Sequence, residues 1–183
     1  MTTITLIAGG YSEASRLTAL IQKADAYCHP RHINFQVVQV HQLNAEALIT
    51  ADFKHPDIVA AHLLVEQSAA VIVVTPTFKA SYSGILKTFL DLLPSRILKG
   101  KPVLPLALGG SKGHLLMLKY GLEPILSELG AEFIAHGTYI TDDQVTKDFN
   151  NHYHINEEAT SRIESSLTSL LNQVSQQQTI LVN

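Results

Sequence analysis

Residues 69–94, AAVIVVTPTFKASYSGILKTFLDLLP, are the stretch whose reading decides the fold. The first six residues, Ala69 to Val74, form an unbroken apolar run rich in β-branched side chains. A parallel strand buried on both faces reads this way, because helices cover both sides and polar alternation is absent. A loop with Pro76, Phe78, Lys79 and Tyr82 follows, and a helix begins near Ser83-Gly84. In an open α/β sheet, ligands bind outside the carboxyl ends of the strands. An aromatic, a proline and hydroxyls at such an end suit a flat, partly polar ring system.

The strand-then-helix pattern recurs on both sides of this stretch. Strands are expected at Thr3 to Ala8, Asn34 to Val40, Ala70 to Val74, Val103 to Leu108 and Glu132 to Gly137. Helices are expected after the first loop to about Ala26, from Pro56 to Ser68, from Ser83 to Leu93, from the third loop to Leu129, and from Asn156 to Gln173. A helical turn is expected at Asn44 to Leu48. Five alternations imply a parallel sheet with helices on both faces and right-handed crossovers. The fold class is therefore α/β, a flavodoxin-like three-layer sandwich with five parallel strands in the order 2-1-3-4-5. Three loops then meet at one end of the sheet: Gly9 to Arg16, Thr75 to Ser83, and Leu108 to His114.

The chain has 183 residues and a mass of 20.0 kDa, which suits one domain with a full core. Residues 1–174 form that domain, and the Gln-rich residues 175–183 are set apart as a tail, either disordered or paired with another subunit. A net charge of -3 and a pI near 6.3 argue against nucleic acid as a partner. One cysteine, Cys28, leaves no intramolecular disulfide and fits a reducing, cytoplasmic setting. The opening MTTITLIAGG has neither the basic region nor the long apolar segment of a signal peptide, and no run approaches a membrane span. With 16% charged residues and a mean hydropathy of +0.14, polar cover is short, which points to a homo-oligomer.

The first loop, GGYSEASRLT, lacks GxGxxG and lacks the Gly-Lys-Ser/Thr of a Walker loop. It does set Ser12, Ser15 and Thr18 beside Arg16 at a helix start, where free amides and the positive dipole end suit a phosphate. Ser12 or Ser15 capping the helix is the plainer alternative. In the second loop, Pro76 and Phe78 form an apolar wall, amides across Thr77 to Lys79 face a polar edge, and Lys79 favours negative charge. Packing or subunit contact is the alternative for Phe78 and Tyr82. The third loop, LGGSKGH, allows close backbone approach at Gly109 and Gly110, or a tight turn.

The helix after the third loop contains a conflict. Pro124 has no amide for the Tyr120 carbonyl, and its ring crowds that carbonyl. A π-bulge relieves this, and such bulges gather at functional sites; a simple kink is the alternative. Cys28, His29 and His32 have ligand chemistry but lie in a helix-to-strand connection, so metal is not expected. His152 and His154 read as loop residues and Asp142-Asp143 as a turn. No Ser-His-Asp or paired-carboxylate spacing is present.

These residues resemble the NAD(P)H-dependent FMN reductases of the flavodoxin-like superfamily, most of all the reductase of the two-component alkanesulfonate monooxygenase system. The resemblance runs to about Leu171. It rests on Ala8-Gly9 with Ser15-Arg16, on TPTFKASYSGILKTFLDLLP, on VLPLALGGSKGHLL, and on Tyr120-Gly121-Leu122-Glu123-Pro124. Gly10-Tyr11 departs from the family's Ser-Pro. The resemblance implies reduction of free FMN by NADPH or NADH, NADPH favoured, with FMNH2 passed to a flavin-dependent monooxygenase of sulfur metabolism. It implies that Ser15, Arg16 and Thr18 hold the phosphate. Pro76, Thr77, Phe78, Lys79 and Tyr82 would frame the ring and ribityl, and Gly109, Gly110 and Ser111 would close the other side. Tyr120 would sit in a π-helix at a tetramer interface, tetramer favoured over dimer, and govern flavin transfer. No side-chain acid or base is required. Two alternatives remain: an FMN-bound quinone, azo or chromate reductase, and a non-enzymatic flavodoxin-type electron carrier.

Overall fold

Parallel strands buried from both sides set the architecture. The computed structural model describes residues 2–150 and 152–182, with side chains as far as residue 177. In chain order the strands are β1 (Thr3–Ala8), β2 (Asn34–Gln39), β3 (Ala70–Phe78), β4 (Ser81–Tyr82), β5 (Val103–Gly109), β6 (Thr138–Thr141), β7 (Val145–Lys147) and β8 (Tyr153–Ile155). The α-helices are α1 (Leu17–Cys28), α2 (Ala45–Thr50), α3 (Pro56–Glu66), α4 (Gly84–Leu90), α5 (Glu123–Glu128) and α6 (Glu157–Val182). The main sheet runs β2-β1-β3-β5-β6 and is parallel throughout, with the short β4 turned back antiparallel on β3. Counting only the parallel strands, this is the expected order 2-1-3-4-5.

Alternate residues of β3 feed two cores. Val71 and Val73 pack with Leu86, Phe89, Leu122 and Leu126 on one face, and Ile72 and Val74 with Leu20, Ile163 and Leu167 on the other. Each fully buried aliphatic side chain contributes about 1.5–3 kcal/mol, so the central strand is fixed from both sides.

The fifth parallel strand lies later than the expected Glu132 to Gly137. Chain 133–135 does run beside β5: Val103 N donates to Phe133 O (2.9 Å) and Ala135 N to Val103 O (2.8 Å). The amides of Val103, Pro105 and Ala107 would all face this side of β5, and Pro105 has none to give. The ladder breaks opposite Gly137, where a Cβ would lie 3.0 Å from the Pro105 ring and carbonyl. It resumes as β6, with Leu106 opposite Thr138. Two other expectations also change. The helix expected from the third loop to Leu129 is a 3-10 turn (Lys112–His114), a π-helix (Leu118–Leu122) and α5. The last helix continues past Gln173 to Val182, through most of the segment set apart as a tail; Asn183 lies outside the described residues.

The π-helix answers the Pro124 conflict as the residues demand. The Glu123 amide donates to Leu118 O, five residues back, one position before the proline. No helix among the described residues is long and apolar enough to cross a membrane.

Candidate active site

The end of β3 sets the geometry. Thr77 pairs with Tyr82 and Phe78 with Ser81, leaving Lys79 and Ala80 as a two-residue turn. Their φ angles are 51° and 60°. Both therefore hold the left-handed conformation that such a turn needs and that Asn-Gly usually supplies. With Cβ atoms present this costs about 1–2 kcal/mol per residue, so the pairing around the turn must outweigh it. Strain of this kind gathers at ligand clamps.

Buried Ser83 ties this hairpin to the first loop. Its amide donates to Thr75 Oγ1 (3.0 Å), and its Oγ donates to Gly9 O (2.6 Å) while accepting from Leu86 N (3.3 Å). Gly9 N donates to Val74 O (2.8 Å). Gly9 has no room for a side chain, since a Cβ would come within 2.7 Å of Leu86 Cβ. Gly109 is equally constrained: a Cβ would meet Thr77 Cβ at 2.7 Å and collide with the Tyr139 hydroxyl.

Between these loops lies a cleft of about 430 Å³. It is lined by Gly10, Tyr11, Ser12, Ala14, Ser15, Arg16 and Leu17 from the first loop and helix start, by Pro76, Thr77 and Phe78, and by Leu108, Gly109 and Gly110. Asp142, Lys147 and Tyr153 complete it. One end is aromatic: Tyr11 and Phe78 face each other at 5.8 Å between ring centroids, 56% and 53% exposed. The other end carries hydroxyls and cations. Arg16 Nε donates to Val145 O (3.2 Å), which leaves the guanidinium at the cleft while fastening β7 to the first loop. Ser15 caps nothing; its Oγ is buried without a protein partner. Thr77 Oγ1 and the Tyr139 hydroxyl, against Gly109, are also buried and unpartnered. Buried hydroxyls of this kind ask for a ligand or a water. No histidine or cysteine lines the cleft.

Of the residues singled out from sequence, Ser15, Arg16, Pro76, Thr77, Phe78, Gly109 and Gly110 line this cleft. Five do not. Thr18 turns its hydroxyl to Glu13 O (2.5 Å) and lines a neighbouring recess. Lys79 sits at the exposed hairpin tip. Ser111 accepts from Gly113 N (3.2 Å). Tyr82, on the returning strand of the hairpin, has ring carbons 3.8 Å from where a Gly121 Cβ would be, and so joins hairpin to π-helix. Tyr120 stands 76% exposed on that π-helix.

Tyr11, Asp142, Lys147 and Tyr153 were not read as site residues. The last two belong to the β7–β8 hairpin, whose strands, VTK and YHI, are too short to show a period. A larger groove, about 870 Å³, runs between the π-helix and α6 along the edge of β6. No residue of β1, β3 or the first loop lines it, so the smaller cleft is the candidate active site.

Elsewhere, burial and the nearby Asp25 carboxylate push the Cys28 thiol up to about 11. His154 and backbone amides hold Asp148 down at about 2. No group of three or more metal-ligating side chains converges among the described residues.

A parallel sheet of this order, with an aromatic-walled and hydroxyl-ended cleft at its switch point, is the architecture of flavodoxin-like domains. The chain belongs to the NADPH-dependent FMN reductase family, whose model matches residues 2–146. It is an NAD(P)H:FMN oxidoreductase. It is 42% identical over 139 residues to an FMN reductase (NADPH) of Pseudomonas putida, covering 76% of this chain and 71% of that protein. It is 38% identical over 171 residues to an FMN reductase (NADPH) of Escherichia coli, covering 93% and 86%. Among solved structures, the apo form of the NADH:FMN oxidoreductase EmoB matches with a TM-score of 0.84 at 31% identity, over 96% of this chain and 90% of that one.

Proposed function

We propose that this reductase takes up FMN as a substrate, reduces it with NADPH or NADH, and releases FMNH2 to a separate flavin-dependent monooxygenase of the alkanesulfonate type. One observation carries the reading: the aromatic end of the cleft is an open shelf, with both Tyr11 and Phe78 more than half exposed. A flavin on such a shelf keeps a solvent-facing side, where a nicotinamide can stack and from which the flavin can leave. An enclosed prosthetic group would instead be buried on most of its surface.

The residues fit FMN. Ser12, Ser15 and Arg16 offer hydroxyls and a cation to the phosphate, with the amides of the first turn of α1 beside them. Pro76, Thr77 and Phe78 meet the ring from one side, and the Gly109-Gly110 backbone from the other. Asp142 offers an acceptor to ribityl hydroxyls. Hydride transfer from nicotinamide C4 to flavin N5 is the chemistry the bound cofactors supply, so the chain's part is to stack and orient. A cleft without histidine or cysteine is consistent with that division. Thr18, Lys79, Tyr82 and Ser111 support the loops around the cleft. Leu115, Leu116 and Tyr120 are exposed together around the π-helix. We assign them to a homotetramer contact through which Tyr120 governs flavin release. A single buried, free Cys28 accords with a cytoplasmic setting.

Dialysed protein tests this reading. The expected result is a colourless protein with no NAD(P)H oxidation until FMN is added, then a rate that saturates with FMN. A yellow protein that reduces quinone without added flavin would replace the reading with a prosthetic-FMN reductase.

A further inference from the structure

The β7–β8 hairpin lies against the phosphate end of the cleft and carries a cation that the family resemblance does not include. Lys147 and Tyr153 are cross-strand partners, and Lys147 Nζ stands 5.3 Å from the centroid of the Tyr153 ring. Both residues line the cleft, and both line the neighbouring recess, about 430 Å³, that continues it between α1 and the hairpin. The hairpin is docked rather than loose, since Arg16 Nε donates to Val145 O at its base.

The charges around Lys147 leave it available. Among the described residues no carboxylate forms an ion pair with it. Its neighbour Asp148 is occupied by His154 Nε2 (2.9 Å) and the His152 and Asn150 amides. Two carboxylates stay on these surfaces, Glu13 in the recess, where it accepts from Gln42 Nε2 (2.6 Å), and Asp142 in the cleft, and neither is ion-paired with Lys147. Ser15 lines the same cleft, and its Oγ is buried without a partner. A ring face holds an ammonium in place without neutralising it, and a cleft that carries such a cation and an unpartnered hydroxyl suits a compact dianion.

We propose that Lys147 binds a phosphate monoester of the reaction's own substrates, with the β7–β8 hairpin as the outer jaw of that site. The assignment rests on the cleft being the flavin site. Two such monoesters are available: the 5′-phosphate of FMN, held between Lys147 and Ser15, and the 2′-phosphate of NADPH, held in the continuing recess.

The test is Lys147→Ala, with Lys147→Arg as the variant that keeps the charge. Flavin binding is read by fluorescence quenching with FMN and with riboflavin, which lacks the phosphate. Nicotinamide use is read as the KM ratio of NADPH to NADH. Losing one charge-assisted contact weakens the phosphorylated ligand by roughly tenfold. A loss for FMN but not riboflavin places the flavin phosphate at Lys147. A loss for NADPH but not NADH places the dinucleotide 2′-phosphate there. In either case Lys147→Arg restores most of the affinity, and the loss shrinks at high salt. Unchanged FMN-to-riboflavin and NADPH-to-NADH preferences in a folded, active Lys147→Ala protein overturn the proposal while leaving the flavin cleft standing. No FMN-dependent activity in the wild type would instead remove the reading on which it rests.

Discussion

The two walls of the cleft are built by opposite means. The inner wall, Thr77, Gly109 and Gly110, lies where strands β3 and β5 end, and the bodies of both strands are buried on both faces. Its backbone is fixed by ladder bonds, by the Ser83 network and by Gly109, where a Cβ would collide with Thr77 and Tyr139. The outer wall, Lys147 and Tyr153, belongs to a small separate hairpin with exposed, charged side chains. The contrast teaches that shape and binding are carried separately. Inner-wall changes should cost stability and activity together, whereas outer-wall changes should alter affinity and leave the fold alone.

The largest break of that comparison is expected from Gly109→Val. The new side chain meets Thr77 and the buried Tyr139, neither of which can retreat from the sheet. Overpacking there costs about 3 kcal/mol, read as a lower urea midpoint, with FMN-dependent activity abolished. Ser83→Ala comes next. It removes the α4 cap and strands the Gly9 carbonyl, for a loss of about 2 kcal/mol. The rate should fall mainly through a higher KM for FMN, because the first loop is no longer held.

On the outer side, Lys147→Ala should change the free energy of unfolding by no more than about 0.5 kcal/mol while changing phosphate-dependent binding. A matching loss of stability would erase the distinction between the walls. Tyr120→Ala, on an exposed π-helix position, should likewise spare stability, yet make the protein retain FMN through dialysis and change its sedimentation. Unchanged retention and sedimentation would remove Tyr120 from flavin transfer.

The smallest effect concerns pH. Burial lowers the His62 pKa from its ordinary 6.5. Below 6.5 the unfolded chain takes up a proton that the folded chain resists, so stability falls as pH drops through that value. Above it both states are neutral and the effect vanishes. His62→Gln should flatten this part of the stability profile, as measured by denaturant midpoints across that range.

Much of this was legible in the sequence for a physical reason. Ala70 to Val74 and Val103 to Leu108 are apolar on both faces, so their burial announces itself. Pro124 likewise had to disturb its helix, because a missing amide and a crowded ring are properties of the residue itself. Pro105 was no less informative, yet its effect falls on the neighbouring strand: it displaces the fifth strand from Glu132–Gly137 to Thr138–Thr141. The hairpin turn at Lys79-Ala80 could not be read, since neither residue prefers the left-handed conformation that the pairing imposes. Lys147 and Tyr153 were hidden for a related reason. Two three-residue strands carry no periodic signal, and only the fold brings them to the first loop.

Amide hydrogen exchange on the wild-type protein, with and without FMN, tests the central claim most directly. Binding in the cleft predicts added protection in peptides covering Gly9 to Arg16, Thr75 to Tyr82, Leu108 to Lys112 and the β7–β8 hairpin. Protection confined to Leu115 to Glu123 and α6, along the larger groove, would contradict it.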